Sequence, residues 1–150
     1  AASDDKVDVL VDTLKTRPPA EIMSFDRHLW SLLAESYRWD LWAAAFIIND
    51  GCSDDGFEYF RGWLLLQGRA VWEAALKDPE SLASLPDEVL GDSVECEILL
   101  GAGAEAYEES TGEEIPDHGQ RYPEEPLGTP WEEEDLGGRF PKLWARFAVE

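Results

Sequence analysis

The chain has 150 residues, of which 33 are acidic and 12 basic, so its formal net charge at pH 7 is -21. A hydrophobic content of 44% and seven tryptophans exclude a disordered acidic chain, because such chains lack the apolar residues that a core requires. The charge disfavours direct binding to nucleic acid or to an anionic membrane, since phosphate groups would be repelled at long range. The length is that of one ordinary domain, so residues 1–150 are expected to fold as a single unit.

Three helices are predicted in the first third of the chain. Apolar residues recur at helical spacing from Val7 to Leu14, and Pro18-Pro19 end that helix. A second helix follows directly, with Pro19 in its first turn and a buried face that runs from Ile22 to Leu33. The segment from Trp39 to Ile48 is apolar on every side, which predicts a helix at the centre of the core.

Two further helices are predicted after this central segment. Asn49-Asp50-Gly51 ends the central helix, and Ser53-Asp54-Asp55 begins the next, because short polar side chains accept the free N–H groups of a first turn. Gly68 interrupts that helix, and a shorter one continues to Asp78-Pro79.

A late helix is predicted from residue 93 to residue 110 by the spacing of its apolar residues. Gly101 and Gly103 would allow a neighbouring helix to approach closely. Gly112 is a typical residue at which a helix ends.

The remainder of the chain predicts a loop and two short helices. Residues 113–128 combine prolines and glycines without apolar periodicity, which indicates an extended loop. Thr129-Pro130-Trp131-Glu132 fits a capping box at the start of a helix, and another helix opens at Pro141. No segment alternates as a strand does, so the predicted class is all-α, with about six to eight helices.

The negative charge is concentrated in the second half of the chain. Residues 1–75 contain 13 acids and 7 bases, a net charge of -6, whereas residues 76–150 contain 20 acids and 5 bases, a net charge of -15. Between Glu105 and Asp135 there are 12 acids and one base, Arg121. This distribution predicts an acidic module that binds a basic protein or a cation, because a concentrated field speeds and selects association with positive patches.

The sequence predicts no metal or cofactor. The acidic segment from Asn49 to Arg61 fails as a calcium loop, because Asp55 occupies the required glycine position and Arg61 the position of the bidentate glutamate. Cys52 and Cys96 match no zinc-binding or redox-active spacing, which is typical of the reducing cytoplasm. The longest apolar run, eight residues long, is far shorter than the roughly 20 residues of a membrane helix, so no membrane association is expected.

The absence of catalytic motifs favours a binding protein over an enzyme. His28 and His118 are the only imidazoles, and neither stands beside a suitable nucleophile or orienting group. We expect His28 to be structural and His118 to be solvated. Acid–base work by carboxylates stays open, and the candidates are Asp40, Asp54, Asp55 and Glu58.

Two alternative functions follow from the sequence. The first is a small enzyme or ligand-binding protein in which Arg61, near the Ser53 turn, lines a polar pocket with tryptophan walls. The second is mimicry of DNA by regularly placed carboxylates. The residues predicted to form the pocket are Trp39, Asp40, Trp42, Ser53, Asp54, Asp55, Arg61 and Trp63.

The tryptophan-rich centre of the chain carries a family resemblance. The run Tyr37-Arg38-Trp39-Asp40-Leu41-Trp42 and the segment Gly51-Cys52-Ser53-Asp54-Asp55-Gly56-Phe57, followed by Tyr59-Phe60-Arg61 and Trp63, resemble the bacterial proteins grouped as domain of unknown function 4240. Phe25-Asp26, Gly68 and the closing Phe140-Pro141-Leu143-Trp144 are similar too, so the resemblance spans roughly residues 20–147.

The resemblance implies a cytosolic, single-domain protein and supplies no catalytic or ligand-binding residue. Members often begin with a further helix that bears aromatic and acidic residues. The resemblance therefore also implies that a preceding segment is missing from a chain that starts at Ala1.

Overall fold

The first five helices form where the sequence predicts them. The structure, a computed structural model, describes residues 2–91 and 94–148. Helix α2 carries Pro19 at its first position, where the missing N–H costs nothing. The five helices are α1 (Ala2–Leu14), α2 (Pro19–Glu35), α3 (Trp39–Ile48), α4 (Asp54–Leu66) and α5 (Arg69–Lys77).

The boundaries between these helices confirm the predicted turn chemistry. The Ser53 hydroxyl accepts the backbone N–H of Gly56 at 3.1 Å and caps the start of α4. Asp50 and Gly51 both adopt positive φ angles, 53° and 115°, and end α3. Gly68, at φ 99°, separates α4 from α5 in a conformation that other residues rarely adopt.

The second half of the chain contains shorter helices. Two 3-10 turns, Pro79–Ser84 and Ile98–Gly101, lie before the longest late helix, and a third, Glu133–Asp135, precedes the last two helices. The α-helical segments are α6 (Asp87–Leu90), α7 (Ala102–Thr111), α8 (Leu136–Arg139) and α9 (Pro141–Phe147). As predicted, α7 ends at Gly112 in a left-handed conformation and α9 opens at Pro141.

The helix predicted for residues 93–110 starts later than expected. Ser93 lies outside the described residues, and helical structure begins only at Ile98. The preceding segment packs on α4 instead, where the Cys96 N–H donates to the Tyr59 carbonyl at 2.8 Å. Gly62 allows this approach, because a Cβ there would lie 2.5 Å from the Cys96 carbonyl oxygen.

Only one of the two glycines predicted to admit a close neighbour does so. A Cβ on Gly103 would lie 2.9 Å from a carboxylate oxygen of Asp26, so this glycine brings α7 against α2. A Cβ on Gly101 would meet no heavy atom within 4 Å. Gly101 therefore faces open space, and its predicted packing role was wrong.

The capping box predicted at Thr129-Pro130-Trp131-Glu132 was also wrong. The Glu132 N–H donates to the Asp135 carboxylate at 3.2 Å, so the turn begins three residues later than expected. The reason lies in Trp131, whose indole N–H donates to the Trp39 carbonyl at 2.7 Å. This bond holds the segment extended along α3.

The core is centred where the sequence predicts it. In α3, small and branched residues are buried together, and 3-10 turn Pro79–Ser84, α4 and α9 pack around them. Within residues 2–91 and 94–148 the only pairing of strand type is one isolated bridge between Arg38 and Leu127, so the all-α class is confirmed. The buried residues of α3 are Leu41, Ala43, Ala44, Ala45 and Ile47.

The last helix is fixed to the middle of the chain by polar contacts. The Glu80 carboxylate accepts the N–H groups of Lys142 and Leu143, at 3.1 and 2.8 Å, and thereby caps α9. Arg146 donates to the Ala83 carbonyl at 2.8 Å and pairs with Asp87 at 2.6 Å. Among the helices of the described residues, none combines the length and the apolar character that crossing a membrane demands.

Candidate functional site

Residues 113–132, here called the strap, connect α7 to the 3-10 turn at Glu133 in an extended conformation, as predicted for most of this segment. Aromatic and apolar side chains of the strap pack on the helices at intervals, and charged side chains between them face solvent. The strap is therefore a fixed part of the fold. Its contact residues are Ile115, His118, Tyr122, Leu127 and Trp131.

His118 is half-buried rather than fully solvated. Its ring stacks on Trp30 of α2, with centroids 5.1 Å apart and planes inclined by 7°. The ring nitrogen Nδ1 accepts the backbone N–H of Gln120 at 3.0 Å. A side chain held in this way positions the strap, whereas the exposed His28 lines a separate cleft beside α5.

Backbone hydrogen bonds attach the strap where α2 meets α3. The Trp39 N–H donates to the Leu127 carbonyl, and the Leu127 N–H donates to the Tyr37 carbonyl, both at 2.9 Å. Trp131 adds edge-to-face contacts with Trp39 and Phe46, at centroid distances of 6.2 and 5.3 Å. These contacts explain why the strap needs no secondary structure of its own.

The centre of the site is a buried guanidinium enclosed by aromatic rings. Arg61 is fully buried, and its guanidinium carbon lies 4.4 Å from the ring centre of Phe57, 4.9 Å from that of Tyr122 and 5.2 Å from that of Tyr37. We call these four residues the Arg61 cluster. Arginine suits such a site because its planar charge is weakly hydrated and stacks on rings.

Hydrogen bonds satisfy some of the N–H donors of the Arg61 guanidinium. Its Nε donates to the Phe57 carbonyl at 3.4 Å, and its Nη1 donates to the Leu33 carbonyl of α2. Among the described residues the other terminal nitrogen, Nη2, has no hydrogen-bond partner. Burial lowers the pKa of the Arg61 guanidinium, an effect that the carboxylates of Glu58 and Asp54 oppose.

Two tyrosines of the cluster connect the buried charge to these carboxylates. The Tyr122 hydroxyl donates to Glu58 at 2.7 Å, and the Tyr37 hydroxyl donates to Asp54 at 3.5 Å. Burial raises the pKa of both hydroxyls, so they stay protonated and act as donors. Since Tyr122 belongs to the strap, the strap closes the Arg61 cluster from outside.

The predicted tryptophans of α3 form a stack beside this cluster. The rings of Trp39 and Trp42 are stacked at 5.5 Å, and that of Trp42 stacks in turn on Phe57 at 5.2 Å. The Trp42 indole N–H donates to the Cys52 carbonyl at 2.9 Å. Burial raises the pKa of the Cys52 thiol to about 11, so at neutral pH it is a poor nucleophile.

The other predicted pocket residues occupy different environments. Trp63 is 1% exposed and packs on Phe60, with centroids 5.8 Å apart. Asp40 is half-buried in the first turn of α3, and Asp55 is exposed in the first turn of α4. Ser53 is engaged as a cap. The structure thus brings Arg61 near Asp54 and near the tryptophan stack, while Asp55 faces solvent.

The carboxylates from Glu105 to Asp135, here called the acidic surface, are all solvent-exposed. The one base among them, Arg121, is paired with Asp117 at 2.7 Å, and this pairing lowers the pKa of that carboxyl. Glu109 lies 4.0 Å from Lys15 of α1. The exposed positions are Glu105, Glu108, Glu109, Glu113, Glu114, Asp117, Glu124, Glu125, Glu132, Glu133, Glu134 and Asp135.

Sequence reasoning missed Tyr122 and Tyr37 as members of the site. Tyr122 lies 64 positions after Glu58, and no periodic pattern in an extended loop signals such a contact. Tyr37 stands inside the family motif, which was a usable signal. In residues 2–91 and 94–148 no group of three or more histidine, cysteine, aspartate or glutamate side chains is arranged to hold a metal ion.

The comparisons with known proteins identify one similarity. A family model described as a protein of unknown function, DUF4240, matches residues 1–109. The match contains all eight predicted pocket residues and the first helix, and it ends before the strap. Neither the curated proteins nor the solved structures include a match to this chain.

Proposed function

The chain belongs to the DUF4240 family, whose function is unknown, and we propose that this member is a binding module that takes up a basic protein through its acidic surface. The observation that carries the proposal is the exposure of every carboxylate from Glu105 to Asp135. The only base in that range is occupied by Asp117.

The electrostatic argument depends on how these charges are distributed. Around exposed carboxylates that far outnumber the neighbouring cations, the negative potential extends over roughly a Debye length, about 10 Å at 0.1 M salt. A basic partner is attracted by this potential before contact, which raises the association rate and selects against acidic partners. Binding should therefore weaken steeply as salt is added.

The strap supports the proposal because it presents charges from a fixed backbone. Its contacts with Trp30, the Arg61 cluster and α3 recur along its length. A pre-ordered surface loses less conformational entropy on binding than a flexible acidic tail does. The match to the family model ends at residue 109, so the strap lies outside the part of the chain that the model matches.

A small-ligand site remains the alternative proposal, and the Arg61 cluster is where it would lie. The unpartnered Nη2 of Arg61 is a donor suited to an anionic ligand. The guanidinium is fully buried beneath Tyr122, so a ligand would reach it only if the strap moved. The acidic surface needs no such movement, and for this reason we favour the binding module.

The experiment that tests the proposal compares two sets of substitutions that replace carboxylates by uncharged amides. The measurement is binding to immobilised poly-L-lysine. Each set removes three exposed carboxylates, so the total charge changes equally. The strap set is Glu113→Gln, Glu124→Gln and Glu125→Gln, and the control set is Glu35→Gln, Asp50→Asn and Glu88→Gln.

We expect the strap set to weaken binding at low salt by more than the control set does. The expected reason is local, because only charges within about one Debye length of the partner contribute strongly. Equal losses in the two sets would show that only the overall charge matters, and the acidic surface would lose its special role.

The cytoplasmic location is likewise part of the proposal. Cys52 and Cys96 are both free thiols. Unpaired cysteines are typical of reducing compartments.

A further inference from the structure

We propose that a groove at the edge of the acidic surface binds one arginine side chain of the basic partner. The groove has a volume of about 490 Å³ and lies between α2, α4 and the 3-10 turn that precedes α7. This inference rests on the proposed function and names the group that the surface would recognise. The apolar residues that line the groove are Trp30, Tyr59, Ile98 and Leu100.

The walls of the groove are apolar and are not covered by other parts of the described chain. Ile98 is 47% exposed, and Trp30, Tyr59 and Leu100 are half-buried. Together these side chains give the groove a small apolar surface that is bordered by acidic residues.

The rim of the groove is negative. Glu97 precedes the 3-10 turn, Glu105 follows it in α7, and both are exposed. Glu58 is half-buried and accepts the Tyr122 hydroxyl. The charge of Glu97 raises the pKa of the Tyr59 hydroxyl. Among the described residues that line the groove there is no lysine or arginine, so an incoming cation meets no like charge on the walls.

Arginine fits this combination of walls and rim better than other cationic side chains do. Its aliphatic stem packs on apolar walls, and its planar guanidinium stacks on aromatic rings such as Trp30 and Tyr59. The guanidinium fork also donates bidentate hydrogen bonds to carboxylates such as Glu97. His118 covers one face of the Trp30 ring and fixes the orientation of the wall that the stem would contact.

Gly101 allows the groove to be filled without changing any charge. It lines the groove, its φ is -98°, and a Cβ there would meet no heavy atom of the described residues within 4 Å. Gly138 in α8 is a matched control, because a Cβ there also meets nothing within 4 Å and the residue is exposed. The two variants are Gly101→Leu and Gly138→Leu.

The experiment measures the affinity of end-blocked tri-arginine for the full chain at low salt by calorimetry. We expect Gly101→Leu to weaken binding about tenfold, and Gly138→Leu to leave it within about twofold. End-blocked tri-lysine, which has the same charge, should bind the unaltered chain more weakly than tri-arginine. Equal effects of the two leucine substitutions, or equal affinity for the two peptides, would refute arginine binding in the groove. The proposed role of the acidic surface would not be affected by that result.

A second pair of variants serves if Gly101→Leu does not fold. Glu97→Gln with Glu105→Gln should weaken tri-arginine binding more than Glu113→Gln with Glu124→Gln does, although both pairs remove two charges. Equal losses would overturn the groove alone. No binding of tri-arginine, tri-lysine or poly-L-lysine at low salt would overturn the proposed function together with the groove.

Discussion

Replacement of Arg61 tests whether a buried cation holds the site together. The guanidinium is fully buried, donates to the Phe57 and Leu33 carbonyls, and contacts three aromatic rings. Arg61→Ala leaves the buried Leu33 carbonyl without this donor, at a cost of about 1–3 kcal/mol, and opens a cavity that costs about 2–5 kcal/mol.

Part of this loss is offset, because the alanine variant no longer buries a charge. The expected net loss is about 3–5 kcal/mol of unfolding free energy, or about 10 °C in Tm for a chain of this size. Arg61→Met fills most of the volume of the arginine side chain, so it loses mainly the hydrogen-bond donor. Its free energy of unfolding should be at least about 1 kcal/mol higher than that of Arg61→Ala.

Urea unfolding, monitored by tryptophan fluorescence, measures these differences in the free energy of unfolding. The variants can be compared when their m-values are equal. Arg69→Ala is the matched control, because that side chain is 89% exposed and makes only a surface ion pair with Glu73. Its loss should lie within the error of the measurement. A loss in Arg61→Ala no larger than that of Arg69→Ala would refute the structural role assigned to the Arg61 cluster.

Three further predictions concern other parts of the fold. Gly103→Ala should destabilise the protein by about 1–3 kcal/mol in thermal unfolding, because the new Cβ would lie 2.9 Å from the Asp26 carboxylate. The control variant Gly138→Ala should be neutral, and equal effects of the two substitutions would contradict the close α2–α7 contact. Burial raises the pKa of Asp26, so ionisation of this carboxyl disfavours the folded state, and Asp26→Asn should stabilise the protein at pH 7. That gain should vanish as the pH falls below the ordinary aspartate range, and a gain that does not change with pH would contradict this cause. Cys52 should react with iodoacetamide at pH 8 much more slowly than a free thiol, since its pKa is about 11, and reaction at the rate of cysteine would argue against its burial.

Local chemistry made much of the helical framework predictable. Ser53 and Gly68 act where they stand in the chain, through a side-chain cap and a positive φ angle, so their effects can be inferred without the fold. The apolar segment from Trp39 to Ile48 likewise had to be surrounded by other elements. These features depend on neighbouring residues or on composition alone.

Features that depend on distant contacts were not predictable in the same way. The late helix starts after residue 97 because Gly62 lets the chain around Cys96 pack on α4. The Trp131 segment stays extended because its indole binds a carbonyl 92 positions earlier. In both places tertiary contacts override a local pattern that favours a helix.

The candidate site was likewise predictable only where it depends on local sequence and composition. Arg61 and the tryptophans of α3 could be selected from composition and from the family motif, but the enclosure of Arg61 by Tyr122 could not. The distribution of charge along the sequence indicated the acidic surface, and the exposure of its carboxylates agrees with that interpretation.

The most direct test of the acidic surface is a nuclear magnetic resonance titration of the ¹⁵N-labelled chain with tetra-lysine. At low salt the largest backbone amide shifts are expected between residues 105 and 135, and they should disappear as salt is raised, because screening removes the attraction. Shifts spread evenly over the surface, including α5 and α9, or shifts that persist at high salt, would contradict the account.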